Sequence, residues 1–255
     1  MTTGALACQG LTKRYGTTLA VDRLDLTVPQ GSMFGLVGPN GAGKTTTLSM
    51  ATGLLRPDAG RVVVGGVDVW SDMQRAHRVL GVLPDGLAVL DRLSGPELVE
   101  YTGRLHGLPR AEASSRAAEL LDVLDLADAG RTLVVDYSAG MRKKVGLACA
   151  LVHAPRVLVL DEPFEAVAPV SGTTIRALLT RFTADGGTVV VSSHVMALVE
   201  QLCDHVAVIV SGRVVAAGTV DEVRGAGTLE DRFVELSGGP RGLGGGLSWL
   251  ASSSG

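Results

Sequence analysis

Residues Gly38 to Thr46 read Gly-Pro-Asn-Gly-Ala-Gly-Lys-Thr-Thr, and this stretch limits the chain more than any other. It meets the pattern G-x-x-x-x-G-K-[ST], in which the backbone curls so tightly around a phosphate that glycines stand where a Cβ would collide with it. Successive N–H groups then point inward, and the helix opening at the loop aims the positive end of its dipole at the anion. Gly38, Pro39, Asn40, Gly41, Ala42, Gly43, Lys44, Thr45 and Thr46 are the candidate contacts. Lys44 can reach the β and γ phosphates and Thr45 can place a hydroxyl on Mg²⁺, so a nucleoside triphosphate with its cation is the expected ligand. The context agrees: Met33 to Val37 is a short apolar run that predicts a strand, and Thr45 to Thr52 predicts a helix.

Open parallel sheets present ligands at their carboxyl edge, and the chain offers further groups for such an edge. Asp161 and Glu162 follow the apolar run Val157 to Leu160. Asp161 is expected to hold Mg²⁺ through water, and Glu162 to orient or deprotonate the water that attacks the γ-phosphate in line. His194 follows the strand pattern Thr188 to Val191, where it could contact the γ-phosphate. His77, His106, His153 and His205 have no such setting.

At 255 residues the chain accommodates one large α/β domain but not two full nucleotide-binding domains. A net charge of −3 gives no electrostatic reason to expect nucleic acid, and no basic block reads as a membrane-surface patch. Cys8, Cys149 and Cys203 lack metal-ligand spacing and read as reduced, structural thiols of a cytosolic protein. Met1 to Gly10 has no basic segment followed by a long apolar core, so no signal peptide is expected. No window reaches the roughly 18 uninterrupted apolar residues that a membrane span needs. Any membrane role would then require a partner.

Leu6 to Val28 alternates as strands about a turn at Tyr15 to Thr18, predicting an antiparallel hairpin. Tyr15 could cover the apolar face of that hairpin or stack on a nucleotide base. A turn at Pro57 to Gly60 leads into the strand Arg61 to Val64, and Val79 to Leu83 predicts another buried strand. Helical periodicity takes over at Glu97 to Tyr101, Ala111 to Ala127 and Gly140 to His153, which predicts a helical insertion over about 86–153. The runs Arg156 to Leu160, Gly187 to Val191 and Val206 to Val210 hardly alternate, as parallel strands buried on both faces do. Val170 to Thr183 and His194 to Cys203 read as crossover helices, giving a doubly wound half, and Ser211 to Arg213 turns into a last strand. After residues 1–225 comes a short C-terminal segment, 226–255, with an amphipathic piece at Leu229 to Leu236 and a Gly/Ser-rich tail whose composition predicts disorder.

Taken in order from about Leu6 to Gly218, these motifs resemble the ATP-binding subunit of an ABC transporter. The resemblance implies a P-loop NTPase core of mostly parallel sheet, with an antiparallel β part at the N-terminus and a helical subdomain. Gly38 to Thr46 matches the family's Walker A, Val157 to Glu162 its Walker B, and His194 its switch histidine, and Tyr15 falls where the family stacks adenine. Tyr137-Ser138-Ala139-Gly140-Met141 resembles the signature Leu-Ser-Gly-Gly-Gln, so Ser138 and Gly140 are expected on the ATP of a second subunit. Two chains would then sandwich two ATP molecules, closing on binding and opening after hydrolysis. Leu93 to Pro96 and Leu236 to Pro240 have similar letters but the wrong place, and are assigned to loops.

The variant signature and the terminal segment Leu229 to Leu236 resemble the branch paired with ABC-2-type permeases, mostly exporters. That implies an ATPase on the cytoplasmic face of the cell membrane, docked through the helical insertion and a face around Leu83 to Leu93, with Leu87, Val89 and Leu90 as contacts. Arg142-Lys143-Lys144 is expected to be a solvated helix face. Two departures bear on turnover. Asp85 stands where the family has Gln, and remains a candidate Mg²⁺ ligand; Ala168 replaces the carboxylate that reaches across the dimer, with Glu165 off that position. Slow or partner-dependent hydrolysis is expected. Alternatives are a regulatory subunit that binds ATP with little hydrolysis in a heterodimer, and a soluble ATPase acting outside transport.

Overall fold

The computed structural model describes residues 4–86 and 92–237. The chain begins with β1 (Leu6–Tyr15) and β2 (Thr18–Val28), paired antiparallel from Leu6↔Val28 to Tyr15↔Thr18. Then come β3 (Met33–Val37), α1 (Lys44–Ala51), β4 (Ala59–Val64) and β5 (Val67–Asp68), followed by α2 (Met73–Val79) and β6 (Leu80–Leu83). Three helices, α3 (Gly95–Leu105), α4 (Arg110–Val123) and α5 (Ala139–Leu151), lie between β6 and β7 (Val157–Leu160). The remainder is α6 (Pro169–Ala184), β8 (Thr188–Ser193), α7 (Met196–Leu202), β9 (His205–Val210), β10 (Arg213–Thr219), α8 (Val220–Arg224) and α9 (Leu229–Leu236).

The strands form two sheets, ordered β2-β1-β4-β5 and β10-β9-β3-β8-β7-β6. In the second, β9, β3, β8, β7 and β6 are parallel and β10 is antiparallel. Alternate residues of each central strand enter different cores, which is why these strands carry no polar face. Phe34, Leu36, Val157, Val159, Val190, Ala207 and Ile209 pack toward the antiparallel sheet, with Leu11, Val62 and Met50. Met33, Val37, Leu158, Leu160, Val189, Val191, Val206 and Val208 pack toward the helices, with Val145, Leu147 and Ile175. Each Val, Leu, Ile, Phe or Met among them contributes about 1.5–3 kcal/mol by leaving water. The sheet is therefore a stiff platform, and its carboxyl edge carries the loops that matter below.

Several boundaries differ from the sequence reading. Ala59 and Gly60 already belong to β4, because Gly60, at φ 92°, lies so close to β1 that a Cβ would meet the Gly10 carbonyl oxygen at 2.5 Å. Val79 closes α2, a helix the periodicity did not reveal: Asp72 caps it by accepting from the Arg75 amide, and seven residues are too few for a repeating pattern. His194 precedes α7 instead of opening it. Ser94, inside one of the signature look-alikes, caps α3 in a reciprocal box with Glu97. Leu87, Val89 and Leu90, the tail from Gly238, and with it most of the other look-alike, lie outside the described residues.

No described helix is long and apolar enough to cross a membrane. Cys8, Cys149 and Cys203 are free thiols, and burial raises each thiol pKa.

Candidate functional site

The loop after β3 is shaped as much by its protein neighbours as by any ligand. An added Cβ at Gly38 would stand 2.3 Å from the Ile209 carbonyl oxygen, and one at Gly43 would stand 2.5 Å from that of Ala20. Those two glycines let the loop nest against β2 and β9, a reason the sequence reading did not give. Gly43 caps α1 at φ 103° without any side-chain acceptor, so the first amides of the helix stay available. They open onto a cavity of about 550 Å³ lined by Tyr15, Ala20, Asn40 to Thr46, Asp85, Glu162, Glu165 and His194. A larger cavity, about 800 Å³, opens at the opposite edge of the sheet around Phe182 and Leu151 and gathers none of the candidate catalytic, nucleotide-binding or metal-binding residues.

Lys44 is buried, with Nζ donating to the Gly38 carbonyl at 2.7 Å and the Pro39 carbonyl at 3.3 Å, and it stands 3.9 Å from Glu162 Oε1. Burial lowers its pKa, and the charges of Glu162 and Asp161 oppose that shift. The ammonium is thus folded back over its own loop, held by neutral carbonyls that an anion can replace.

At the end of β7 the chain turns sharply, and Glu162 sits at φ 47°. Its amide donates to Ser192 Oγ at 2.9 Å, and that hydroxyl in turn donates to Asp161 Oδ1. Asp161 is buried behind the cavity, while Glu162 reaches into it and meets His194 Nδ1 through Oε1 at 3.1 Å. Ser192 was not singled out from sequence; its only signal is its position two residues before His194 at the end of β8. Ordering two adjacent acidic residues through one hydroxyl is a tertiary relation between neighbouring parallel strands.

Tyr15 ends β1 half exposed at the mouth of the cavity, with Lys13 Nζ 5.9 Å from its ring centroid. It therefore does not serve as a lid on the hairpin core. Ser138 caps α5 by accepting from the Met141 amide at 3.2 Å, and Gly140 packs so near the Ala166 carbonyl that a Cβ would come within 2.9 Å. Neither residue lines the cavity of its own chain. Tyr137 is buried, its hydroxyl donating to the Ala129 carbonyl at 3.3 Å.

The expectation of a solvated face at Arg142-Lys143-Lys144 is overturned. Arg142 donates to the Tyr137 and Val135 carbonyls at 3.2 and 2.6 Å, and buried Lys144 donates to the Asp125 carbonyl at 3.3 Å. Lys143 Nζ lies 3.3 Å from both Asp85 Oδ1 and the Asp161 carbonyl oxygen. A charge run on a helix could not reveal this, because the partners arrive from other parts of the chain, at Asp85, Asp125, Val135, Tyr137 and Asp161. Glu165, set aside from sequence, does line the cavity.

Among the described residues no three His, Cys, Asp or Glu side chains converge as a metal cluster. The oxygen donors Thr45, Asp161 and Asp85 nevertheless suit Mg²⁺, which keeps waters and phosphate oxygens and needs only one or two protein ligands. The buried Asp161 carboxyl, fixed by Ser192, fits such a demand.

The sequence pattern of the family described as ABC transporter matches residues 21–165, which hold the phosphate loop and both carboxylates. The chain belongs to the ABC transporter family. It is 41% identical over 229 residues to the daunorubicin resistance ATP-binding protein DrrA3 of Streptomyces coeruleorubidus, covering 90% of this chain and 72% of that protein. It is 35% identical to the linearmycin resistance ATP-binding protein LnrL of Bacillus subtilis, over 84% of this chain and 69% of that one. A solved ATP-binding subunit of an ABC transporter superposes with a TM-score of 0.85 at 27% identity, covering 91% of this chain and 99% of its own. A cassette solved as a dimer in a post-hydrolysis state with ADP and Pi shares the fold, at a TM-score of 0.78 and 22% identity. The α/β core with a mostly parallel sheet is thus that of an ABC ATPase.

Proposed function

We propose that this ABC family member is the ATP-binding and hydrolysing subunit that powers a separate ABC-2-type membrane permease, working as an exporter at the cytoplasmic face of the cell membrane. The observation that carries the reading is the meeting of Lys44, Thr45, Glu162 and His194 on one cavity at the carboxyl edge of the sheet. It is joined by likeness to ATP-binding proteins named for drug resistance. Residues 1–225 act as one ATPase domain, with a helical subdomain over about 86–153 as the dock and 226–255 as an appendage.

In this reading Tyr15 stacks the adenine, and the amides from Gly38 to Thr46 surround the phosphates. Lys44 exchanges the Gly38 and Pro39 carbonyls for the β and γ oxygens. Thr45 and Asp161, with Asp85, would hold Mg²⁺, which would offset the negative charge gathering on the departing ADP. Glu162 takes the proton of the attacking water, and His194 keeps that carboxylate aimed while facing the γ-phosphate. Ser138 and Gly140 complete the site of a second subunit, which fits their absence from the cavity of their own chain. Nucleic acid has no part in it.

A second reading, a weakly hydrolysing regulatory subunit in a heterodimer, is favoured by the Asp85–Lys143 pair, which ties up one candidate metal ligand. Turnover by the purified chain across protein concentrations separates the two, with Lys44→Ala and Glu162→Gln as controls. A rate per chain that rises with concentration and vanishes in both variants supports hydrolysis in a sandwich. ATP binding without turnover at any concentration supports the regulatory subunit.

A further inference from the structure

One cation in the structure stands where a metal would compete with it. Lys143 lies in the second turn of α5, the helix that Ser138 caps, and its side chain is only 14% exposed. Its ammonium spans two acceptors at 3.3 Å, the carboxylate of Asp85 after β6 and the main-chain oxygen of Asp161 after β7. The helix bearing the signature is thereby tied to the ends of two parallel strands. Asp85 also faces the cavity with Thr45 and Glu162. Lys44 directs its ammonium elsewhere, at the Gly38 and Pro39 carbonyls.

We infer that Lys143 is an internal rival of Mg²⁺ for Asp85, so that loading the metal–nucleotide exchanges the ion pair and releases α5 from the carboxyl edge. The inference rests on the cavity being a Mg²⁺–nucleotide site. Its physical basis is an imbalance of strengths. The Asp85 side chain is 46% exposed, so water screens the pair and it holds by only a small factor. A divalent cation carries twice the charge and prefers hard oxygen donors, so it takes the carboxylate when phosphates fix it nearby. Asp161, Glu162 and Glu165 add negative charge around the same place, which favours the ion over a single ammonium. Once Asp85 turns away, Lys143 keeps the Asp161 carbonyl oxygen as an acceptor. Occupancy of one nucleotide site is then felt by the helix whose start serves the other.

The test is an equilibrium titration of a fluorescent ATP analogue with Mg²⁺. Lys143→Met should lower the half-saturating Mg²⁺ concentration by about fivefold, the scale of a partly exposed pair, whereas Lys143→Arg should leave it nearly unchanged. Asp85→Asn should raise that concentration and erase the effect of Lys143→Met in the double variant. As a second readout, amide hydrogen exchange over residues 139–143 should quicken on adding Mg²⁺ to the nucleotide-bound wild type, but not in Asp85→Asn. Nucleotide binding with an unchanged Mg²⁺ requirement in Lys143→Met, or a full shift persisting in the Asp85→Asn background, overturns the exchange. A wild-type chain that binds no nucleotide at any Mg²⁺ concentration overturns the reading of the cavity instead.

Discussion

Glu162 Oε1 and His194 Nδ1 stand 3.1 Å apart, although 32 residues separate them in the chain. They meet because β7 and β8 are parallel neighbours in register, Leu160 opposite Val191, so both loops leave the same edge of the sheet. The contact gives the carboxylate one fixed direction into the cavity. Glu162→Gln should keep nucleotide binding and lower phosphate release by roughly 10²–10⁴-fold, the range of a lost general base. His194→Ala should lower turnover with a smaller loss of binding. Parallel measurements of binding and phosphate release decide both, and a Glu162→Gln chain with undiminished turnover would place the base elsewhere.

Lys44→Ala should weaken ATP binding by about tenfold to a hundredfold, since bonds to a charged donor are lost. The loop itself should survive, because Gly38 and Gly43 shape it through contacts with Ile209 and Ala20 that do not involve the lysine. Calorimetric titration with ATP, alongside a thermal melt unchanged from wild type, checks the two halves.

Ser192→Ala removes the hydroxyl shared by the Glu162 amide and the Asp161 carboxyl. Leaving the buried Asp161 carboxyl and the part-buried Glu162 amide without that partner should destabilise the fold by about 1–3 kcal/mol in denaturant unfolding. Turnover should fall with it, while Ser192→Thr, which keeps a hydroxyl, should retain more of both.

Tyr137 and Gly95 form a tight pair: a Cβ at position 95 would come within 2.5 Å of the phenol oxygen. Gly95→Ala should therefore cost about 1–3 kcal/mol. Tyr137→Phe should give part of that back in the double variant, since it removes the nearest atom. A double-mutant cycle on unfolding free energies reads the coupling, and strict additivity would disprove it.

The His153 ring stacks on His106 at 3.7 Å between centroids, and its Nδ1 is buried without a hydrogen-bond partner among the described residues. Desolvation first, then the nearby His106 and Arg116, lower its pKa to about 4, against a bond to the Leu80 carbonyl that raises it. The unfolded chain, with an ordinary histidine pKa near 6.5, then binds protons that the folded chain refuses, so stability is complete above that pH and falls as pH drops toward about 4. With screening at a partly exposed ring the loss should be about 1–2 kcal/mol. Denaturant midpoints measured from pH 7 to pH 4.5 should fall less steeply in His153→Phe.

Most of the elements follow from local sequence. Buried strands without alternation, the phosphate loop and the paired carboxylates were legible because period, glycine placement and apolar runs are local properties. Short α2 was not, since its capping Asp72 had too few helical residues behind it to show a period. Tertiary structure alone decided the partners. Ser192 joining Asp161 to Glu162, His194 meeting Glu162, and Lys143 bridging Asp85 and Asp161 all depend on strand order β8-β7-β6 and on where α5 lies against it. No residue's neighbours in the chain encode which strand will lie beside its own, so the same Arg-Lys-Lys run reads as a solvated face in one dimension and as a set of tethers to other segments in three.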